Sequence, residues 1–247
     1  MRRIALVIVL TGLAVLPALA QDSNYWDNQY GTTGELLGGV VVGTPNDLSA
    51  TFYNPGWIAL QVDPSLLLTT LSVEAYSIRM MDALGLGKDP VSTTVTTSPG
   101  YLAGRFSLGQ DRTWHWAYSF LHKVKFDFDA VGIKIDTITP TPPQEPLEFS
   151  SEAFRKSKVN EYWYGLTMSR RIGSDMGIGF TPYVVHRSMQ SRTQAAAQGL
   201  DQLGGFGQTY LVDEYNFWHI RLLAKIGLAV EKGDLTYGLT LTTPGLG

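Results

Sequence analysis

Four side chains in this sequence have the chemistry to hold an acidic group: His115, His219, Arg221 and Lys225. Each falls on the polar parity of a segment whose other parity is apolar, so all four would line one side of a strand. Charge-assisted hydrogen bonds from such groups would suit a carboxylate head group. The plainer reading is a solvated polar lining, which barrel interiors ordinarily have. Hydrolytic chemistry would need a serine beside a histidine. Ser119 and His115 share parity, but four residues along a strand separate them by about 13 Å, too far to pair. His115 and His122 are seven apart and fall on opposite faces. With no cysteine and four histidines, neither a metal centre nor any other cofactor is expected, and the chain does not read as an enzyme. Gly85-Leu86-Gly87-Lys88 lacks the spacing and the hydroxyl residue of a phosphate loop. Lys123, Lys125, Asp127 and Asp129 alternate in sign and read as a solvated rim.

The remaining composition bounds what could position those groups. Residues 1–20 read as a secretory signal: Arg2 and Arg3, the apolar run Ile4 to Val15, and Ala18-Leu19-Ala20 before Gln21. Losing Arg2 and Arg3 takes the formal charge from −3 to −5, so no basic field exists for nucleic acid. No later apolar run approaches the 18 residues of a membrane helix. Aromatics are 11% of the chain, with 26 Gly and 12 Pro, a composition of strands and turns.

Alternation then assigns seven strands. The clearest spans Arg112 to Asp129, with Trp114, Trp116, Tyr118, Phe120, Val124, Phe126 and Phe128 on one parity. Others are Leu66 to Arg79, Gly100 to Leu108, Val159 to Arg171, Met176 to Met189, a segment around Phe217 to Val230, and Leu235 to Thr242. Met176, Ile178, Phe180, Pro182 and Val184 share one face, as do Trp218, Ile220, Leu222, Ala224, Ile226, Leu228 and Val230. Long connections (80–98, 130–158, 190–210) alternate with short ones. Within the last long one, Gln190 to Leu203 reads either as an amphipathic lid or as a plain surface loop, with a short helix over Gln194 to Leu203. Long strands, aromatic ends and one-sided loop lengths predict an all-β, antiparallel transmembrane β-barrel rather than a soluble sandwich. Single-chain bacterial barrels have even strand numbers, because an open edge in lipid leaves backbone groups unpaired. Seven strands therefore predict the N-terminal part of a longer barrel, with residues 64–247 contributing strands and 21–63 preceding them.

Within 21–63 lies Asn46 to Trp57, NDLSATFYNPGW. Pro55 keeps Asn54 out of the helical region, and Gly56 permits a sharp reversal. Taken alone this is a turn entering the first strand. In its setting, Asp47, Ser49, Ala50, Phe52, Tyr53, Asn54 and Pro55 resemble the motif of the FadL/TodX family of outer-membrane transporters for hydrophobic compounds. That family's usual residue after Asn-Pro is Ala, where this chain has Gly56. The resemblance implies a 14-stranded barrel plugged by an N-terminal hatch, with Asp47, Phe52, Tyr53, Asn54, Pro55 and Gly56 on the ligand path.

The expectation is passive passage of long-chain fatty acids, aromatic hydrocarbons or lipids across the bacterial outer membrane by a monomer. The competing expectation is an outer-membrane barrel that serves structure or surface contacts without transport. It would have no apolar ligand cavity.

Overall fold

The structure is a computed structural model and describes residues 29–45, 47–61, 65–68, 73–79, 81–82, 87, 89, 91–97, 100–108, 113–138, 147–200 and 205–247. The signal at 1–20, Asn46, and residues 62–64 at the junction of the two expected regions lie outside the described residues.

The chain is mostly antiparallel β. Its main sheet has seven strands: β1 (Leu66–Leu68), β4 (Leu102–Phe106), β5 (Trp114–Ile138), β6 (Leu147–Ile172), β7 (Met176–Leu200), β8 (Phe206–Lys232) and β9 (Leu235–Thr242), adjacent in that order. The strands β2 (Val73–Arg79) and β3 (Val91–Thr97) form a separate hairpin. The sheet curls into a half-barrel around a segment holding helix α1 (Thr32–Leu36), helix α2 (Ala50–Tyr53) and a 3-10 turn (Pro55–Ala59). That one segment is hydrogen-bonded to Arg105 on β4 and to Thr240 on β9, near the two ends of the strand order, so the wall must bend around it.

Parity sorts the side chains as the alternation predicts. On β6 and β7 the odd positions Trp163, Thr167, Ser169, Thr181, Tyr183 and Val185 are buried on the concave side. Tyr164, Leu166, Ile178, Phe180 and Val184 stand exposed on the convex side, with Trp218, Ile220, Leu222 and Ile226 from β8. The hairpins β6–β7 and β8–β9 turn through Gly173 and Gly233, both at positive φ, where a side chain would be strained.

Four expectations are corrected. The connection 130–158 is largely strand, since β5 and β6 pair from Trp114↔Arg170 out to Ile138↔Leu147. Within the connection 190–210, residues 190–200 and 206–210 are likewise strand: β7 and β8 pair as far as Leu200↔Phe206, so neither a lid nor a helix forms over 190–200. Polar and small residues hid the extensions over 150–158 and 190–200, which gain a full cross-strand ladder without needing an apolar face, whereas β5 beyond 130 carries a short alternation of Val131, Ile133 and Ile135. The expected strand over Leu66–Arg79 is two strands in different sheets, and the connection 80–98 contains β3.

The fourth correction concerns parity. The β5–β6 register slips between His122 and Val124, placing a bulge at Lys123. Lys123 is buried on the concave side, and beyond it the faces exchange. Phe128 and Ala130 turn inward, whereas Asp129 turns outward to meet Lys156 at 3.7 Å.

Candidate functional site

The site is built where the segment around Asn54 meets the concave wall. Ser49 N is bonded to Asp47 Oδ1 (2.8 Å), which tightens the turn leading into α2. That helix is one turn long, so its last carbonyls have no partners within it. The wall supplies them. Tyr183 on β7 donates to Thr51 O (2.7 Å), Lys225 on β8 to Phe52 O (2.8 Å), and Thr240 on β9 to Tyr53 O (2.8 Å). Three successive carbonyls are thus held by three successive strands.

Asn54 ends the helix in extended conformation, as the following proline requires. Its side chain is fully engaged. Nδ2 donates to Val42 O and to Leu228 O, both at 2.9 Å, while Oδ1 accepts from Gly56 N at 3.1 Å. Pro55 and Gly56 then lie backbone-to-backbone on a bare patch of the wall made by Gly177, Gly179 and Gly227. A Cβ on Gly56 would stand 2.7 Å from Gly177 O and 2.9 Å from Ala229 N, and a Cβ on any of the three wall glycines would collide with Asn54, Pro55 or Gly56. Below this, Arg105 donates to Ile58 O (2.8 Å) and Gln61 O (2.9 Å), closing the end of the 3-10 turn.

Phe52 is the apolar centre of the contact. It is 2% exposed and meets Tyr30, Tyr53 and Trp163 edge-on, with ring centroids 5.0, 5.1 and 6.0 Å away. Lys225 Nζ sits 3.9 Å from its ring centroid and Lys123 Nζ 5.5 Å, so two lysine amines face one ring. Tyr30 N–H is bonded to Tyr53 Oη, and Tyr30 Oη donates to His122 O. Burial pushes the Tyr30 phenol well above its ordinary range, and burial raises Tyr53 as well.

Immediately along the wall, Glu161 is fully buried. Its Oε1 accepts from Trp163 Nε1 at 2.7 Å, and its Oε2 faces Arg221 at 2.8 Å and Arg187 at 3.5 Å. One carboxylate therefore meets two guanidiniums, and the group carries a net positive charge. Beyond it on the inner parity of β8, Tyr215, Phe217 and His219 stack as a ladder, with centroids 6.4 and 6.3 Å apart and planes within 16°. Phe217 is paired with Met189 and His219 with Arg187. An apolar strip thus leads to a cationic cluster, an arrangement matched to a molecule with a tail and an acidic head.

The expected site residues divide accordingly. Phe52, Tyr53, Asn54, Pro55 and Gly56 are brought together on the wall, and Arg221, Lys225 and His219 lie along the same inner face of β8. His115 is not brought to them. It pairs with Ser169, whose Oγ donates to Gly56 O (3.4 Å). That row passes through Gly227, about 20 Å along β8 from Arg221. Glu161, Arg187, Trp163 and the Tyr215–Phe217 strip were missed. All lie on the inward parity of their strands, a signal that becomes usable once cross-strand register is known.

Among the described residues no three acidic or histidine groups converge as a metal site, and no helix is long and apolar enough to cross a membrane. No family model, curated protein or solved structure matches the chain.

Proposed function

We propose that this chain forms part of an outer-membrane wall through which apolar small molecules with an acidic head pass, with residues 29–61 acting as the hatch. The observation that carries this reading is the juxtaposition on the inner face: the Tyr215–Phe217 strip, the Arg187–Arg221 pair, and directly behind them a segment that fills the concavity.

The outer face supports a bilayer as its surroundings. From Tyr162 to Ile172 the outward side chains of β6 are Tyr162, Tyr164, Leu166, Met168, Arg170 and Ile172, apolar except for Arg170, which lies over the Trp114 ring. Eleven residues on a tilted strand span the roughly 25 Å of a barrel's apolar band. Tyr162, His186 and Trp218 then mark its edge, and charged residues begin beyond them.

Exit sideways is supported at one point. The β6–β7 ladder lapses between Gly165↔Tyr183 and Met168↔Phe180, where Pro182 has no N–H to give. An apolar groove of about 480 Å³ lies there, lined by Tyr118, Phe120, Tyr164, Leu166, Val184 and Leu222. Behind it Thr181 and Tyr183 are hydrogen-bonded to Thr51 of the hatch.

The test is uptake of a labelled long-chain fatty acid by proteoliposomes carrying the full-length protein. Arg221→Gln removes one charge-assisted donor worth about 1.5–3 kcal/mol and is expected to lower uptake roughly tenfold or more. Asn54→Ala is expected to raise ungated leak of small solutes. Uptake and leak unchanged in both variants would sink the reading.

A further inference from the structure

We infer that the convex face of β6 and β7, just beyond the apolar band, binds a phosphate of an anionic glycolipid between Lys156 and Arg192. The inference rests on the membrane reading above, which puts this face among lipid head groups. Its basis is a row of four charges that crosses four strands in register: Asp129↔Lys156↔Arg192↔Glu214. The outer members pair with their neighbours, Asp129 with Lys156 at 3.7 Å and Glu214 with Arg192 at 3.8 Å. The two central members are both cations and stand directly opposite each other on an antiparallel pair. Like charges at that spacing repel and destabilise a sheet unless an anion lies between them.

The surroundings favour that anion. Lys158 follows Lys156 on the same face of β6, so three cations form a triangle, with Asp129 and Glu214 on the flanking strands and Glu152 four residues along β6 from Lys156. The four side chains of the row keep about half their surface open, Lys156 at 50% and Arg192 at 47%. Arg192 also borders a cavity of about 330 Å³ with Glu152, Phe154, Gln194 and Ala196. Along β6 the row lies six residues past Tyr162, about 20 Å along a tilted strand. That is the depth of phosphates and sugars rather than of acyl chains. A guanidinium takes a phosphate through two parallel hydrogen bonds and a lysine adds a point charge, the usual pairing for this chemistry.

The experiment inserts the full-length protein into phosphatidylcholine nanodiscs doped with a bisphosphorylated glycolipid, or with the same glycolipid after phosphatase treatment. Co-purified glycolipid per protein is then counted. The expected result is retention of the phosphorylated form at least tenfold above the dephosphorylated form. Lys156→Gln with Arg192→Gln abolishes that preference, and Asp129→Asn with Glu214→Gln strengthens it by removing the competing carboxylates. Insertion with equal retention of both glycolipids, or a preference untouched by the Gln pair, overturns this inference and leaves the membrane reading standing. A chain that enters neither nanodisc overturns both.

Discussion

Gly56 is a position where the wall admits no side chain. With Gly177, Gly179 and Gly227 opposite, main chain rests on main chain and leaves no room for a methyl group. Gly56→Ala is therefore expected to cost about 1–3 kcal/mol of overpacking, read as a lower unfolding midpoint and faster proteolysis within residues 29–61. Glu161 is the opposite case, a charge that the site cannot lose. Glu161→Ala takes the shared buried carboxylate from the half-buried Arg187 and Arg221 and is expected to destabilise by about 3 kcal/mol, measured by denaturant unfolding. Tyr30 adds a pH dependence. Its folded pKa is raised by burial, so above about pH 10 the unfolded chain loses that proton while the folded chain keeps it. The stabilisation is whole below that pH and falls as pH rises further. Stability that falls less steeply above pH 10 in Tyr30→Phe than in wild type, with tyrosinate absorbance as the readout, is the expected outcome.

At the scale of elements, alternation disclosed the strands wherever one face is apolar and the other polar. Trp114 to Phe120 and Trp218 to Val230 are such segments, and their outward parity matches the structure. It failed where that contrast is lost. Residues 190–200 mix small, polar and charged side chains, yet their backbones pair along the whole length, whereas 131–136 do keep a short alternation, Val131, Ile133 and Ile135 against Gly132, Lys134 and Asp136, in the phase opposite to Trp114–Phe128. A period-two pattern cannot report the bulge at Lys123 either, because a single inserted residue exchanges the faces without altering composition. Hence Lys123, expected at a solvated rim, is buried against Phe52, and the inner contacts Glu161 and Arg187 emerged only with the register. In the inner segment the Asn54-Pro55 pair set the extended entry to its turn, but the helices at Thr32–Leu36 and Ala50–Tyr53 carried no pattern to read, and Gly56 serves close approach rather than reversal. At the lapse in the β6–β7 ladder, Pro182→Val restores the missing N–H. It is expected to raise thermal stability by several tenths of a kcal/mol to about 1 kcal/mol and to slow fatty-acid uptake. Unchanged uptake would remove this site as an exit.

Across the whole molecule, one wall separates two environments. Its convex side carries an apolar band bounded by Tyr162, His186 and Trp218. Its concave side carries hydroxyls, glycines and cations that grip residues 29–61. A soluble protein with this sheet would bury its convex band or aggregate through it. These 247 residues hold no cysteine, so each thiol introduced here is a single reporter within this stretch, and a scan along Tyr162 to Ile172 in native membranes, read against the unsubstituted protein, tests the account most directly. It predicts that Cys at 164, 166 and 168 reacts with a bilayer-confined reagent and resists a water-soluble one. Cys at 163, 165 and 167 should resist both until residues 29–61 are released. Equal labelling of both parities from the aqueous phase would contradict it.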